Sequence, residues 1–145
     1  METLPGVIAA ALVCLFGLLL WRAQTRNAQS KKNRVAGRDP AETAQAWADY
    51  SREFGIGEEL VSEVIPVVAS ATDIEPSELR PTDRFERELA EERGWQFDSG
   101  LNEIRWYLEK TAQRNLSDAE LAELCTVGDV IRFAARFRGG MTPAT

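Results

Sequence analysis

The sequence predicts an all-α protein, a small helical bundle behind one N-terminal transmembrane helix. Three stretches carry that reading. Leu4 to Trp21 is an uncharged apolar run of 18 residues. Val61, Val64, Ile65, Val68 and Ala69 recur at helical spacing. Leu116 to Phe137 holds two helix starts in succession, each with its own cap. Ser117 and Glu120 can form a capping box, the hydroxyl taking the third helical N–H while the carboxylate reaches back to the Ser117 N–H. Thr126 and Asp129 repeat the arrangement nine residues later, with a turn at Leu124-Cys125 between them. Beyond the second cap, Val127, Val130, Ile131 and Ala134 share one apolar face.

Composition narrows the chemistry. At 145 residues the chain has room for one small domain plus extensions. It has no histidine, so the commonest general base and metal ligand is missing. Cys14 and Cys125 lie far apart in apolar surroundings, which argues against a disulfide framework or a CxxC site. There is no Gly-rich phosphate loop. The net charge of −6 conceals a division: residues 1–38 carry six Lys/Arg against Glu2, and residues 39–145 carry eleven against twenty-two Asp/Glu. A domain that acidic repels nucleic acid and attracts basic protein surfaces.

In order along the chain, residues 4–21 make a helix about 27 Å long, enough for a thin or locally adapted hydrocarbon core. Trp21 stands where an interfacial aromatic belongs. A cleaved signal peptide is the rival, but Met1-Glu2-Thr3 has no basic residue and no small-residue cleavage pattern comes after the run. All six Lys/Arg of the first 38 residues lie beyond the apolar run. The positive-inside bias therefore predicts a single-pass protein of the inner (cytoplasmic) membrane, with its C-terminal domain in the cytoplasm. Residues 22–38 show no hydrophobic period and are expected to form a basic flexible tether; from Ala23 on, its coil span is about 22 Å.

Asp39-Pro40-Ala41-Glu42 is a strong helix start, and Gly55 and Gly57 end the helix. Residues 39–55 are thus expected to be an amphipathic helix with a narrow stripe of Ala44, Trp47, Ala48 and Phe54. It packs on its own domain or, in a sharper reading, touches a partner or the membrane. The bundle is expected over 58–138, with 139–145 a disordered tail. Its first helix holds Pro66, so it either kinks there or begins near Ser62. A long loop comes next, anchored by Ile74, Leu79 and Phe85, with Asp83 and Glu86 placed to cap one more turn. Asp98-Ser99 then opens a helix with Leu101, Ile104 and Leu108 on one face, widened by Trp106 and Tyr107. The expected core is Ile65, Val68, Phe85, Leu101, Ile104, Leu108, Leu121, Leu124, Val127 and Ile131.

The run LSDAELAELCTVGDVIRFAA resembles the last third of an acyl carrier protein, and ATDIEPSELRPTDRF (Ala71 to Phe85) resembles that family's long first loop. The resemblance covers Glu58 to Phe137 and implies an acyl-carrier-like helical bundle. In that family an Asp-Ser-Leu motif opens the second major helix, and a transferase attaches 4′-phosphopantetheine covalently to the serine. Here the matching residues are Asp98 and Ser99. Gly100 stands in the leucine's place, and an insertion, Ala90 to Phe97, precedes the motif. The resemblance implies a protein of lipid or fatty-acid metabolism that catalyses nothing itself. It would present an acyl-phosphopantetheine arm, or its acidic surface, to a basic partner at the membrane, such as an acyl-transfer enzyme or a phosphopantetheinyl transferase. Read from the residues alone, Ser99 is a helix N-cap, shared with or replaced by Asp98, which needs no cofactor. That leaves an unmodified interaction module anchored to the membrane as the alternative. Glu58-Glu59 and Glu91-Glu92 read as solvated acids and Cys125 as a small core residue, so neither catalytic nor metal residues are expected.

Overall fold

The computed structural model describes residues 29–90 and 100–138. They form six helices: α1 (residues 29–35), α2 (Pro40–Phe54), α3 (Glu58–Thr72), α4 (Leu101–Ala112), α5 (Asp118–Ala122) and α6 (Val127–Arg138). A 3-10 turn at Pro76–Glu78 lies in the loop between α3 and α4. Among the described residues the one β feature is an isolated antiparallel bridge, Arg84 to Thr126. None of the described helices is long and apolar enough to cross a membrane. The expected anchor Leu4–Trp21, residues 22–28 of the tether and the tail 139–145 lie outside the described residues.

Helices α3, α4 and α6 pack on one another, and α2 lies across α3 and the 3-10 turn. Val64, Val68, Leu79, Leu108, Val127, Val130 and Ile131 are fully buried at the centre. Five of the ten expected core residues are buried: Val68, Ile104, Leu108, Val127 and Ile131. Ile65, Phe85, Leu121 and Leu124 are half-buried against them. Leu101 is a correction, being 48% exposed. As the first residue of α4 it stands at the helix end, clear of the core below. Trp106 is another, at 64% exposed. It is two residues past Ile104 and so about 200° round the helix, on the opposite face. Tyr107 does extend the inner face, its hydroxyl donating to Glu63 at 3.1 Å.

The stretch expected to be a flexible tether differs over its second half, from residue 29 on. Residues 29–35 are helical and Val35 is fully buried. Arg38 ends this segment in a two-pronged ion pair with Asp83, Nη1 to Oδ2 at 2.6 Å and Nη2 to Oδ1 at 2.8 Å. Arg38 also donates to the Glu78 carbonyl at 2.6 Å, and the Arg80 N–H donates to Asp83 at 2.8 Å. Asp83 is therefore a buried clasp, 2% exposed, and not the cap of a further helical turn. Glu88, not Glu86, takes the Arg84 N–H, at 2.9 Å.

Helix α2 is seated by its aromatic residues. The Trp47 indole N–H donates to the Leu79 carbonyl at 2.6 Å, and the Tyr50 hydroxyl to the Gly128 carbonyl at 2.7 Å. Gly128 makes that contact possible, since a Cβ there would come within 2.8 Å of the Tyr50 ring. α2 ends at Gly55, whose φ of 63° is the left-handed form that glycine adopts without strain. α3 begins at Glu58, so Pro66 lies inside it. Both predicted capping arrangements are present. Ser117 and Glu120 form the reciprocal box. The Asp129 N–H donates to Thr126 Oγ1 at 3.1 Å, while Asp129 Oδ2 accepts from the Thr126 N–H at 2.8 Å. The loop before α4 is stitched to the start of α6 by Phe85 N–H to Cys125 O at 3.1 Å and Val127 N–H to Asp83 O at 3.0 Å.

Candidate functional site

Asp98 and Ser99 lie outside the described residues, so the site is defined by what adjoins them. Gly100 is the first described residue after Ser99, and its carbonyl accepts from Glu103 at 3.1 Å and Ile104 at 3.2 Å to start α4. It sits hard against the end of α3: a Cβ at position 100 would lie 1.7 Å from the Ala71 carbonyl oxygen. Glycine at position 100 is thus required by packing, since only a residue without a side chain lets the two backbones meet.

Beside Gly100 is a cleft of about 110 Å³, lined by Lys31, Ala71, Phe85, Leu89, Leu101 and Ile104 among others. That is the volume of roughly four waters. Its walls come from α1, α3, the loop and α4 together.

The exposed side of α4 is not an acidic face. Glu103 accepts from the Ser70 hydroxyl at 3.5 Å. Glu109 accepts the Leu116 N–H at 3.0 Å and pairs with Arg105 at 3.0 Å. These two contacts, the backbone one first, hold its carboxyl below the usual range. The Lys110 ammonium lies 5.2 Å from the centre of the Trp106 ring, within cation–π reach. The negative charge of the domain lies elsewhere. Residues 39–79 hold ten Asp/Glu against the single base Arg52, whereas residues 80–145 hold twelve against ten Lys/Arg.

Of the other residues singled out by sequence, Glu58 and Glu59 are exposed on the first turn of α3, as expected of solvated acids. Glu91 and Glu92 lie outside the described residues. Cys125 is half-exposed in the α5–α6 turn, not a core residue. Among the described residues no group of His, Cys, Asp or Glu is arranged to hold a metal. Sequence reasoning missed the Arg38–Asp83 clasp and the steric role of Gly100. A basic residue next to a capped helix start and an acid 45 positions on gave no local signal of pairing. Compared with protein-family models, with curated proteins and with solved structures, the chain matches none of them.

Proposed function

We propose that this chain is an acyl-carrier-like presentation domain, tethered through Leu4–Trp21 to the inner membrane with its bundle in the cytoplasm. It offers a phosphopantetheine arm on Ser99 to a partner enzyme and catalyses nothing itself. The observation that carries this reading is the opening of α4 directly after Asp98-Ser99, beside a small, largely apolar cleft. The first turn of a helix has N–H groups without intrahelical acceptors, and its dipole favours a phosphodiester at that end. The arm's thiol supplies the acyl linkage; the protein supplies position.

A second reading, an unmodified interaction module, is favoured by the mixed charge of α4 and by Gly100. A docking enzyme that expects an apolar side chain after the serine would find none there, and the insertion Ala90–Phe97 alters the approach.

Intact-protein mass separates the two. Incubated with coenzyme A and a broad-range phosphopantetheinyl transferase, the full chain should gain the mass of one phosphopantetheine, and Ser99→Ala should not. Ser99→Ala should stay folded, since the N-cap of α4 is Gly100, not Ser99 or Asp98 as the sequence suggested, and no side chain caps this helix. No gain, under conditions where a known carrier is fully loaded, rejects the arm and leaves the interaction module.

A further inference from the structure

We infer that the groove between α2 and α3 is a docking site for a basic amphipathic helix of a partner protein. The groove is open, about 410 Å³, and lined by Pro40, Ala44, Trp47, Ile65, Pro66 and Pro76 among others. Its floor is firm, because the Trp47 ring is pinned through its N–H to the Leu79 carbonyl. Its wall includes Ser62 and Pro66 from α3, and Pro66 has no N–H to give the Ser62 carbonyl one turn earlier.

The rim carries the charge. Glu58 and Glu59 begin α3 just below Ser62, and Glu75 precedes Pro76. All three are exposed and make no ion pair among the described residues. This is the segment with ten acids and one base. An apolar channel with acidic edges is complementary to a helix with aliphatic side chains on one face and Lys/Arg beside them. The other occupants fit less well. A second copy would bring the same acids against one another, and the anionic surface of a membrane is repelled likewise. Within the chain's described basic segment, Arg38 is committed to Asp83, Lys32 to Asp73 at 3.3 Å and Arg34 to the Ala90 carbonyl.

This rests on the reading that the domain acts by presenting a surface, and it moves that surface from α4 to the groove between α2 and α3. The test uses the ¹⁵N-labelled full chain in zwitterionic micelles. The probe is an amphipathic Leu/Lys peptide about five turns long, alongside the same peptide with Glu for Lys. The Lys peptide should shift the amides of Ala44, Ser62, Ile65 and Ser77 and the indole N–H of Trp47, and the Glu peptide should not. Ser62→Trp fills the channel from an exposed position and should weaken binding at least about tenfold. Joint replacement of Glu58, Glu59 and Glu75 by Gln should weaken it several-fold and flatten its salt dependence.

Absence of binding overturns the proposal, as do shifts centred on Trp106 or affinity indifferent to Ser62→Trp. Tighter binding after joint Arg22→Gln and Arg26→Gln would make the chain's own segment the occupant. A doubled mass in sedimentation would make it a second copy. Either result also sinks the proposal. A phosphopantetheine mass on Ser99 without groove binding rejects the groove alone. Groove binding without that mass rejects the arm alone.

Discussion

Asp83 keeps a carboxylate almost wholly out of water, and the hydrogen bonds that reach it come from Arg38 and the Arg80 backbone. Burying such a charge is tolerable only while its partner stays. Arg38→Ala should therefore destabilise the domain by about 3–5 kcal/mol, read from urea denaturation. Arg38→Lys should recover only part of that, because an ammonium cannot make the two-pronged contact. A loss below about 1 kcal/mol for Arg38→Ala would mean the clasp is open in solution. Gly100 makes the opposite kind of test. Gly100 is the N-cap of α4, where alanine is already slightly less favourable than glycine. Here the added Cβ falls 1.7 Å from the Ala71 oxygen, so Gly100→Ala should lose about 1–3 kcal/mol in the same measurement. A loss no larger than a cap change alone, below about 0.5 kcal/mol, would mean that α3 and α4 do not meet as described.

Among the elements, the two capped helix starts were legible because their bonds span three residues and the sequence contains both partners. They also fix how α5 and α6 respond to acid. Arg114, then the N–H and hydroxyl of Ser117, hold the Glu120 carboxyl down at about 2. A carboxyl depressed in the folded state contributes stability above its ordinary pKa of 4.5, and that contribution is lost as pH falls from there toward about 2. At Asp129 burial works against ionisation, but Arg132 and the Thr126 hydroxyl and N–H outweigh it, so this carboxyl is also lowered. Loss of the α5 cap should thus appear in the Ser117 amide signal on acidification between about pH 4.5 and pH 2, and Glu120→Gln should abolish that step. A Glu120 titrating at its ordinary value would show that the box is not formed. Helix α1 was not legible in the same way. It has one fully buried apolar residue, Val35, and no stripe, and its partners, Asp73 for Lys32, the Ala90 carbonyl for Arg34 and Asp83 for the adjoining Arg38, lie far along the chain. Tyr50 was overlooked for a similar reason: its partner is the carbonyl of Gly128, a backbone atom that side-chain patterns do not show.

For the whole molecule, the sequence-derived expectation of an all-helical bundle agrees with the structure, since periodicity of apolar residues is sufficient to identify α3, α4 and α6. The distribution of charge around that bundle needed three dimensions. Of the ten acids between residues 39 and 79, Glu42, Glu63 and Asp73 meet Arg80, Arg138 and Lys32 from elsewhere in the chain, whereas Glu58, Glu59 and Glu75 make no ion pair among the described residues. The proposed topology is tested on the same scale: a reporter fused after Thr145 should be active only in its cytoplasmic form. Activity as an exported fusion, or recovery of a chain cleaved near Ala23, would reverse the orientation.

The meeting of Gly100 with Ala71 has a further consequence, in sequence space. A single change that installs leucine after Ser99, and so completes Asp-Ser-Leu, would put a side chain where the α3 backbone already is. Each route to such a sequence crosses a less stable intermediate unless the end of α3 withdraws first. Because the obstacle is backbone, no substitution at position 71 removes it, and the change that must come first is one that shifts the path of the chain where α3 ends.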